Sequence, residues 1–294
     1  MALVYALVTV LAWGTWLIPS QKVRFSGQQV RVFYVALANL VLASLAAASQ
    51  RFHNFSAGSF WLPFSGGLIW ALGGWGAFSA TSRIGVVRAF GVWAPLNIVV
   101  SVLFGAVFFR EFVAMDARAI LFVCLSLGLI IGGVLLIIFS KGAGGETQGG
   151  REFLIGLGCA IVAGVLWAAY YLPVKISQAS TWTAALPLAC GMFAGCLAIV
   201  LLSRQPLRLE NPEAYLRALA SGALWTAGNY GMLLLVKALG AGKGFTISQL
   251  AVVVNALCGI YVLRDPAPGT RAARLAMAGC VLATVGAILL GTLK

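Results

Sequence analysis

Four uncharged amide side chains interrupt long apolar stretches of this chain. They are Asn97, Asn229, Gln249 and Asn255. An amide in an apolar environment must find a hydrogen-bond partner, which can be a neighbouring helix or a bound ligand. One such residue alone is most simply explained as a contact between helices. Because the four amides cluster on three apolar segments, we expect them to line a polar cavity.

Aromatic side chains occupy the same apolar stretches. Those we expect to contact a ligand are Trp13, Trp167, Tyr170 and Trp225. Aromatic residues at helix ends can anchor a protein at the membrane interface, but Trp13 and Trp167 lie inside their apolar runs. Rings beside amides can cover the apolar face of a polyhydroxylated ligand while the amides bond its hydroxyl groups. The chemistry indicated is noncovalent binding of a small, neutral, polar solute.

The apolar stretches contain no set of residues suited to catalysis. All seven acids and the single histidine, His53, fall at or between the ends of these stretches. An enzyme needs positioned nucleophiles, bases or metal ligands, and the six cysteines show no C-x-x-C spacing. We therefore predict no enzymatic activity, no cofactor and no metal. A membrane-embedded enzyme or a non-transporting scaffold stays open as a third interpretation.

The composition is that of a helical integral membrane protein. The 294 residues are 61% hydrophobic and 9% charged, whereas about a quarter of the residues in a soluble domain are charged. A helix needs about 20 apolar residues to cross the hydrocarbon layer. The runs that qualify as spans one to ten lie near 3–20, 30–48, 61–81, 86–109, 118–139, 153–173, 182–202, 216–236, 244–263 and 273–291. The predicted fold is all-α, a polytopic membrane protein of ten transmembrane helices.

The basic residues indicate an orientation in the membrane. The net charge of +13 comes mainly from the connections between apolar runs, which argues against a nucleic-acid partner. Span one has no basic residue before it, whereas Lys22, Arg24 and Arg31 follow it. Under the positive-inside rule, a multi-pass protein of the cell inner (cytoplasmic) membrane would then have both termini outside the cytoplasm.

The two halves of the chain repeat each other. The segments Gly85–Glu111 and Gly240–Asp265 share glycines, a basic residue, phenylalanine and a terminal acid. Further matches, separated by 154 or 155 residues, pair Trp13 with Trp167, Pro19 with Pro173, and Trp70 with Trp225. Five spans per half is an odd number, so the second half must be inverted in the membrane. We predict a first five-helix repeat over 1–140, a linker over 141–152 and a second repeat over 153–294.

Two related prolines predict breaks in the membrane helices. Pro19 and Pro173 lie near the ends of spans one and six, and each frees a backbone carbonyl four residues back, at Thr15 and Ala169. Broken helices of this kind are tolerated where they face protein or a wet cavity. A lysine follows each proline closely. The residues predicted to gate or couple transport are Pro19, Lys22, Pro173 and Lys175.

The chain resembles the drug/metabolite transporter superfamily, whose members have ten helices in two inverted repeats. Its segments look like the bacterial glucose/ribose uptake branch of sugar transporters, within the EamA-like group. The most specific segment has W-x2-G-N at Trp225–Asn229, then F-x-[IL]-S-Q at Phe245–Gln249, and a glycine before Asp265. The resemblance implies a sugar or similar metabolite as substrate. It also implies a cavity formed mainly by spans one, three, four, six, eight and nine.

We predict a secondary carrier for a small neutral polar solute, such as a sugar, that works by alternating access. Proton relays normally use intramembrane Asp, Glu or His, and none occurs in mid-span. Proton symport and facilitated diffusion therefore both fit, with Glu111 and Asp265 as further candidates for coupling. The predicted partners are the solute, the lipid bilayer and, in the symport case, protons. The alternative is an EamA-type exporter of amino acids or other metabolites.

Overall fold

The computed structural model describes residues 1–49, 56–109, 115–140, 150–239, 247–248 and 250–292, and all regular structure within them is helical. The helices are α1 (Ala2–Thr15), α2 (Gln28–Ser49), α3 (Ala57–Ile84), α4 (Val86–Phe109), α5 (Ala117–Phe139), α6 (Gly150–Ala169), α7 (Tyr171–Ile176), α8 (Thr181–Ser203), α9 (Pro212–Leu239), α10 (Ala251–Cys258) and α11 (Arg271–Thr292). A short 3₁₀ helix covers Pro19–Lys22, and a π-helical turn at Gly259–Leu263 extends α10. The all-α prediction is therefore confirmed for the described residues.

Eight helical segments of the described chain are long and apolar enough to cross a membrane. They are Ala2–Lys22, Gln28–Ser49, Val86–Phe104, Ala117–Phe139, Gly150–Ile176, Trp182–Ser203, Pro212–Leu239 and Arg271–Leu290. The multi-pass membrane prediction is thus supported, while the count of ten spans stays a prediction. Span three corresponds to α3, whose 28 residues are interspersed with glycine and serine. Span nine has only Ala251–Leu263 as a shorter apolar helix, because 244–246 and 249 lie outside the described residues.

Both predicted helix breaks occur at the prolines. Helix α1 ends at Thr15, and Pro19 begins the 3₁₀ helix. Helix α6 ends at Ala169, and Pro173 lies in the short α7. Proline lacks a backbone N–H and its ring collides with the carbonyl four residues earlier. The helices therefore end at the two residues whose carbonyls the sequence predicts to be released.

The chain forms two compact units that interleave along the sequence. The first unit comprises Met1–Thr15, Ser79–Val165 and Ala227–Lys294. The second unit comprises Trp16–Phe78 and Leu166–Thr226. Each unit contains segments of both predicted repeats, so the units and the repeats are different divisions of the chain. The division into 1–140, 141–152 and 153–294 stays a prediction, and most of its linker lies outside the described residues.

Small residues allow close helix packing within each unit. In the first unit, a Cβ added to Gly133 of α5 would lie 2.6 Å from the backbone nitrogen of Ala283 in α11. In the second unit, a Cβ on Gly195 of α8 would lie 2.7 Å from the Cβ of Ala71 in α3. Contacts this short require glycine, because the backbones approach more closely than any larger side chain allows.

Candidate functional site

An aromatic cluster forms the centre of the second unit. Trp70 of α3 stacks on Trp167 of α6, with ring centroids 5.9 Å apart, and meets the edge of Trp225 of α9 at 4.9 Å. The indole Nε1 of Trp167 donates a hydrogen bond of 3.2 Å to the carbonyl oxygen of Trp70. Trp16 extends the cluster from the break in span one, 6.1 Å from Trp167 and 5.4 Å from Phe78. All four tryptophans are buried.

The cluster brings together two of the predicted ligand contacts, Trp167 and Trp225. Both touch Trp70, which was absent from the predicted site although its repeat partner, Trp225, was included. The 155-residue match between these two tryptophans was the signal that could have identified Trp70. Tyr170 lies in the same unit, half-buried, with its ring 5.9 Å from that of Tyr171.

A buried arginine binds the break in span one. Arg31 of α2 is 3% exposed; its Nε donates to Ser20 Oγ at 3.0 Å, and one terminal nitrogen donates to the Leu17 carbonyl at 3.2 Å. Its guanidinium also lies 4.3 Å from the ring centre of Phe78. Within the described residues no carboxylate forms an ion pair with Arg31. A buried charge without a counter-ion is costly, so this arginine is a functional candidate.

The sequence does not predict this role for Arg31, because its position near Lys22 and Arg24 indicates only a charge that sets orientation. The available signal was its position after the start of the apolar span two, where an interfacial anchor would be expected nearer the helix end.

Ser20 connects the arginine to α9, since its backbone nitrogen and hydroxyl both bond the hydroxyl of Ser221, at 3.2 and 2.9 Å.

A second polar contact in this unit joins three helices. The Thr226 hydroxyl of α9 donates to Asn39 Oδ1 of α2 at 3.1 Å, and Asn39 Nδ2 donates to the sulfur of Met192 in α8 at 3.2 Å. All three residues are buried. Asn39 is an amide inside an apolar run, as the four predicted amides are, and the same criterion would have found it. Its bonds to protein groups indicate a contact between helices.

In the first unit, α1 lies against α9 and α10. The indole of Trp13 packs on Gly228, where an added Cβ would collide with the ring. Asn255 Nδ2 donates a 3.1 Å bond to the carbonyl of Gly14, next to the end of α1. Asn255 is 1% exposed, and among the described residues its Oδ1 has no hydrogen-bond partner. A buried acceptor without a partner is uncommon in proteins and could accept a bond from a ligand hydroxyl group.

The remaining predicted ligand residues are less closely connected. Asn97 is half-buried, and its Oδ1 accepts a 3.4 Å bond from Ser101 one turn along its own helix. Asn229 is half-buried. It directly follows Gly228, the glycine on which Trp13 packs. Gln249 lies outside the described residues. The structure thus relates Trp13 and Asn255 to neighbouring helices of the first unit, whereas the bond described for Asn97 is local.

The residues predicted to gate or couple transport lie at the breaks. Pro19 and Pro173 are half-buried, and Lys22 and Lys175 are exposed. An exposed lysine near a helix end is typical of interfacial anchoring. The prolines therefore have a structural consequence in the two broken spans, while a role for the lysines in coupling stays a prediction.

An acidic group lies near the start of α4. The Asp265 carboxylate stands against Gly85, whose φ of +81° suits glycine. Nearby, Arg88 donates bonds of 3.1 and 2.6 Å to the Ser140 carbonyl at the end of α5. Desolvation raises the pKa of the Asp265 carboxyl, and the charge of Arg88 opposes this. Because Asp265 is exposed to solvent, water screens both effects. Glu111, the other acid considered, lies outside the described residues.

Comparison with a solved structure supports this helical architecture. A protein crystal structure aligns with 100% of this chain and 99% of its own length, with a TM-score of 0.64 and 19% sequence identity. At that identity the similarity concerns the fold alone.

Known protein sequences extend the comparison to function. A protein of Enterococcus faecalis named for sugar uptake is 25% identical over 312 residues and covers 100% of both chains. A Bacillus anthracis protein named for sugar uptake is 27% identical over 294 residues, again with 100% of both chains covered. GlcU of Priestia megaterium, named for glucose uptake, is 25% identical over 228 residues, 78% of this chain and 77% of its own.

A family model described as "Sugar transport protein" matches residues 4–293. This match includes both helix breaks, the aromatic cluster and the buried Arg31. Together with the relatives named for uptake, it confirms the predicted transporter class over the enzyme interpretation. The chain belongs to the sugar transport protein family.

Proposed function

We propose that this protein is a secondary carrier that moves a small neutral sugar across the cytoplasmic membrane by alternating access. Its membership of the sugar transport protein family and its relatives named for sugar and glucose uptake support this class of cargo. The structural observation that carries the proposal is the aromatic cluster of Trp70, Trp167 and Trp225. These rings come from three different helices and lie in the unit that contains both proline-associated segments.

The cluster has the chemistry that sugar recognition requires. A pyranose presents apolar C–H faces and a rim of hydroxyl groups, so it needs flat apolar surfaces and nearby hydrogen-bonding groups. The tryptophans supply the surfaces. Asn255, which belongs to the first unit, is proposed separately as a ligand contact, because no described group bonds its buried Oδ1. We keep Trp13, Asn97, Tyr170, Asn229 and Gln249 as further proposed ligand contacts, and Pro19, Lys22, Pro173 and Lys175 as proposed gating residues.

The proposal includes ten spans in two inverted repeats, and exchanged contacts support it. Trp13 packs on Gly228, and Trp167 packs on Gly73. The tryptophans differ by 167 − 13 = 154 residues and the glycines by 228 − 73 = 155 residues. In each case a tryptophan of one half meets a glycine of the other half. This reciprocal pattern is expected when two repeats are related by a two-fold axis.

A second exchanged pair occurs within the second unit. A Cβ on Gly67 of α3 would collide with the Leu188 carbonyl of α8, and a Cβ on Gly222 of α9 would lie 2.6 Å from the Val35 carbonyl of α2. Here the glycines differ by 222 − 67 = 155 residues and their partners by 188 − 35 = 153 residues. Two independent reciprocal contacts at nearly one spacing favour duplication over coincidence.

Counterflow of labelled glucose into proteoliposomes tests the proposed activity. Purified protein should exchange external radiolabelled glucose for internal unlabelled glucose, and a labelled neutral amino acid should not enter. Trp225→Phe should raise the glucose KM about fivefold, because the smaller ring offers the sugar roughly 40 Å² less apolar surface, worth about 1 kcal/mol at about 25 cal/mol per Å². Trp75→Phe is the matched control, since Trp75 lies on α3 with Trp70 but its side chain is 42% exposed.

The outcomes of this experiment separate the cargo from the site. Absence of glucose exchange by well-folded protein would reject a glucose carrier. Exchange with an unchanged KM in Trp225→Phe would retain the carrier and reject the cluster as its binding site. Uptake measured with and without an imposed pH gradient then decides between symport and facilitated diffusion, because only symport accumulates glucose when the gradient is present.

A further inference from the structure

A groove runs along the surface of the first unit between the end of span nine and α11. Its volume is about 630 Å³, and Ile260 and Tyr261 form one wall while Ala273, Met277 and Val281 contribute to the other. Tyr261 is 64% exposed. The groove is therefore an apolar surface feature of a membrane protein, separate from the aromatic cluster and from the residues proposed to bind sugar.

The length of the groove matches one leaflet of a bilayer. Its lining residues on α11 extend from Ala273 to Val285, which corresponds to about 18 Å at a rise of 1.5 Å per residue. Half of a hydrocarbon core of about 30 Å is roughly 15 Å. An acyl chain lying along α11 would therefore remain in contact with the groove through the depth of its leaflet.

Positive charge is concentrated at one end of the groove. Arg274 lines the groove in the first turn of α11, and Arg271 begins the same helix; both are exposed. The nearest acid along the chain, Asp265, places its carboxylate against Gly85 and interacts with Arg88. Arginine pairs well with phosphate oxygens, and basic residues at the membrane surface attract anionic lipids.

We infer that this groove binds an anionic phospholipid, with its phosphate at Arg271 and Arg274 and one acyl chain along α11. Two features of the groove together identify this ligand, namely the length of its apolar wall and the positive charge at one end. A zwitterionic lipid would use the apolar wall but gain little from two arginines. The site is independent of sugar transport, so it can be correct or wrong whichever cargo the protein carries.

Lipid retention by the full-length protein tests the site. Protein delipidated in detergent is mixed with phosphatidylglycerol or phosphatidylcholine, and native mass spectrometry counts the bound lipids. We expect preferential retention of phosphatidylglycerol. The double variant Arg271→Gln/Arg274→Gln should weaken its binding about 30-fold, because each basic residue near the surface contributes about 1 kcal/mol. Ala278→Trp, which fills the groove lined by Ala278, should reduce retention without changing charge.

Arg118→Gln provides the matched control. Arg118 is exposed in the first turn of α5 and precedes Arg271 by 271 − 118 = 153 residues, so it occupies the related position of the other predicted repeat. This variant should retain phosphatidylglycerol as the wild type does. Equal retention of the two lipids by the wild type would overturn the inference, and so would unchanged retention in the double variant. A protein dimer that Ala278→Trp dissociates would instead assign the groove to a second copy of the chain.

Discussion

Replacing Gly73 by alanine should displace Trp167 and weaken sugar binding. The added Cβ would lie 2.6 Å from Cδ1 and 2.7 Å from Nε1 of the indole, and ordinary contact begins at 3.4 Å. The ring or its neighbours must therefore shift by about 3.4 − 2.6 = 0.8 Å. Overpacking of this kind costs about 1–3 kcal/mol, and the shift strains the 3.2 Å bond from Trp167 to the Trp70 carbonyl. If this ring contacts the sugar, we expect the glucose KM to rise at least about tenfold, which is about 1.4 kcal/mol.

Two other glycine substitutions provide the controls for this prediction. A Cβ at Gly128 of α5 or Gly158 of α6 would meet no atom within 4 Å. Alanine should stabilise these helices slightly, because glycine is less favourable by about 0.8–1.0 kcal/mol in a helix interior. Thermal unfolding in detergent and glucose counterflow in proteoliposomes would be measured for all variants. If Gly73→Ala matched Gly128→Ala in unfolding temperature and KM, the reasoning about Trp167 would be refuted.

Further substitutions test the polar contacts and the helix packing. Asn255→Leu leaves the Gly14 carbonyl without its hydrogen bond, so it should destabilise the protein by about 1–3 kcal/mol. It should also abolish the rise in unfolding temperature that glucose causes in the wild type. A rise equal to that of the wild type would exclude Asn255 as a ligand contact. Arg31→Lys keeps a buried charge but cannot reproduce the fork of hydrogen-bond donors, whereas Arg31→Met removes the charge. The lysine variant should therefore unfold at a lower temperature than the methionine variant. The reverse order would contradict the inference that the charge of Arg31 is buried without a counter-ion. Gly133→Leu should separate α5 from α11 and lower the free energy of unfolding by about 1–3 kcal/mol. An unchanged unfolding temperature would contradict the close packing of Gly133 against Ala283.

The features that depend on local covalent chemistry could be predicted from the sequence. Proline removes a donor wherever it occurs in a helix, and α1 and α6 end at Thr15 and Ala169, four residues before Pro19 and Pro173. Pro95 lies inside the continuous α4, so a proline permits a break without requiring one.

The helical class followed from apolar runs of sufficient length. The sequence predicts a membrane span less clearly at span three, because α3 is long enough to cross a membrane but contains many glycines. These glycines allow α3 to pack closely against neighbouring helices, as at Gly67 and Gly73.

The pairing of side chains could be predicted only in part, because it depends on which helix faces meet. Asn255 was expected to line a cavity, yet its Nδ2 donates a hydrogen bond to the Gly14 carbonyl of a neighbouring helix. Arg31 looked like an interfacial charge, yet the fold buries it against Leu17 and Phe78. Periodicity indicates which residues share a face, but it does not identify the opposing face. The repeat carried more of this information, since it related Trp70 to Trp225.

The two related helix breaks are held by different contacts, which predicts unequal mobility. In span one the Gly14 carbonyl accepts a bond from Asn255 in the first unit, and the Leu17 carbonyl accepts one from Arg31 in the second. The residues 153–155 positions after Arg31, at 184–186, are Ala, Ala and Leu. They lie in span seven, the repeat partner of span two, so the break in span six has no arginine at the position related to Arg31.

A hydrogen bond to a charged group contributes about 1.5–3 kcal/mol, and amide exchange through local opening slows about tenfold for each 1.4 kcal/mol. In hydrogen–deuterium exchange, the backbone amides of 170–176 should therefore exchange at least about tenfold faster than those of 16–22. Arg31→Met should reduce this difference. Equal protection of the two breaks in the wild type would show that Arg31 does not stabilise span one, and the asymmetry would then have no bearing on which break opens first during transport.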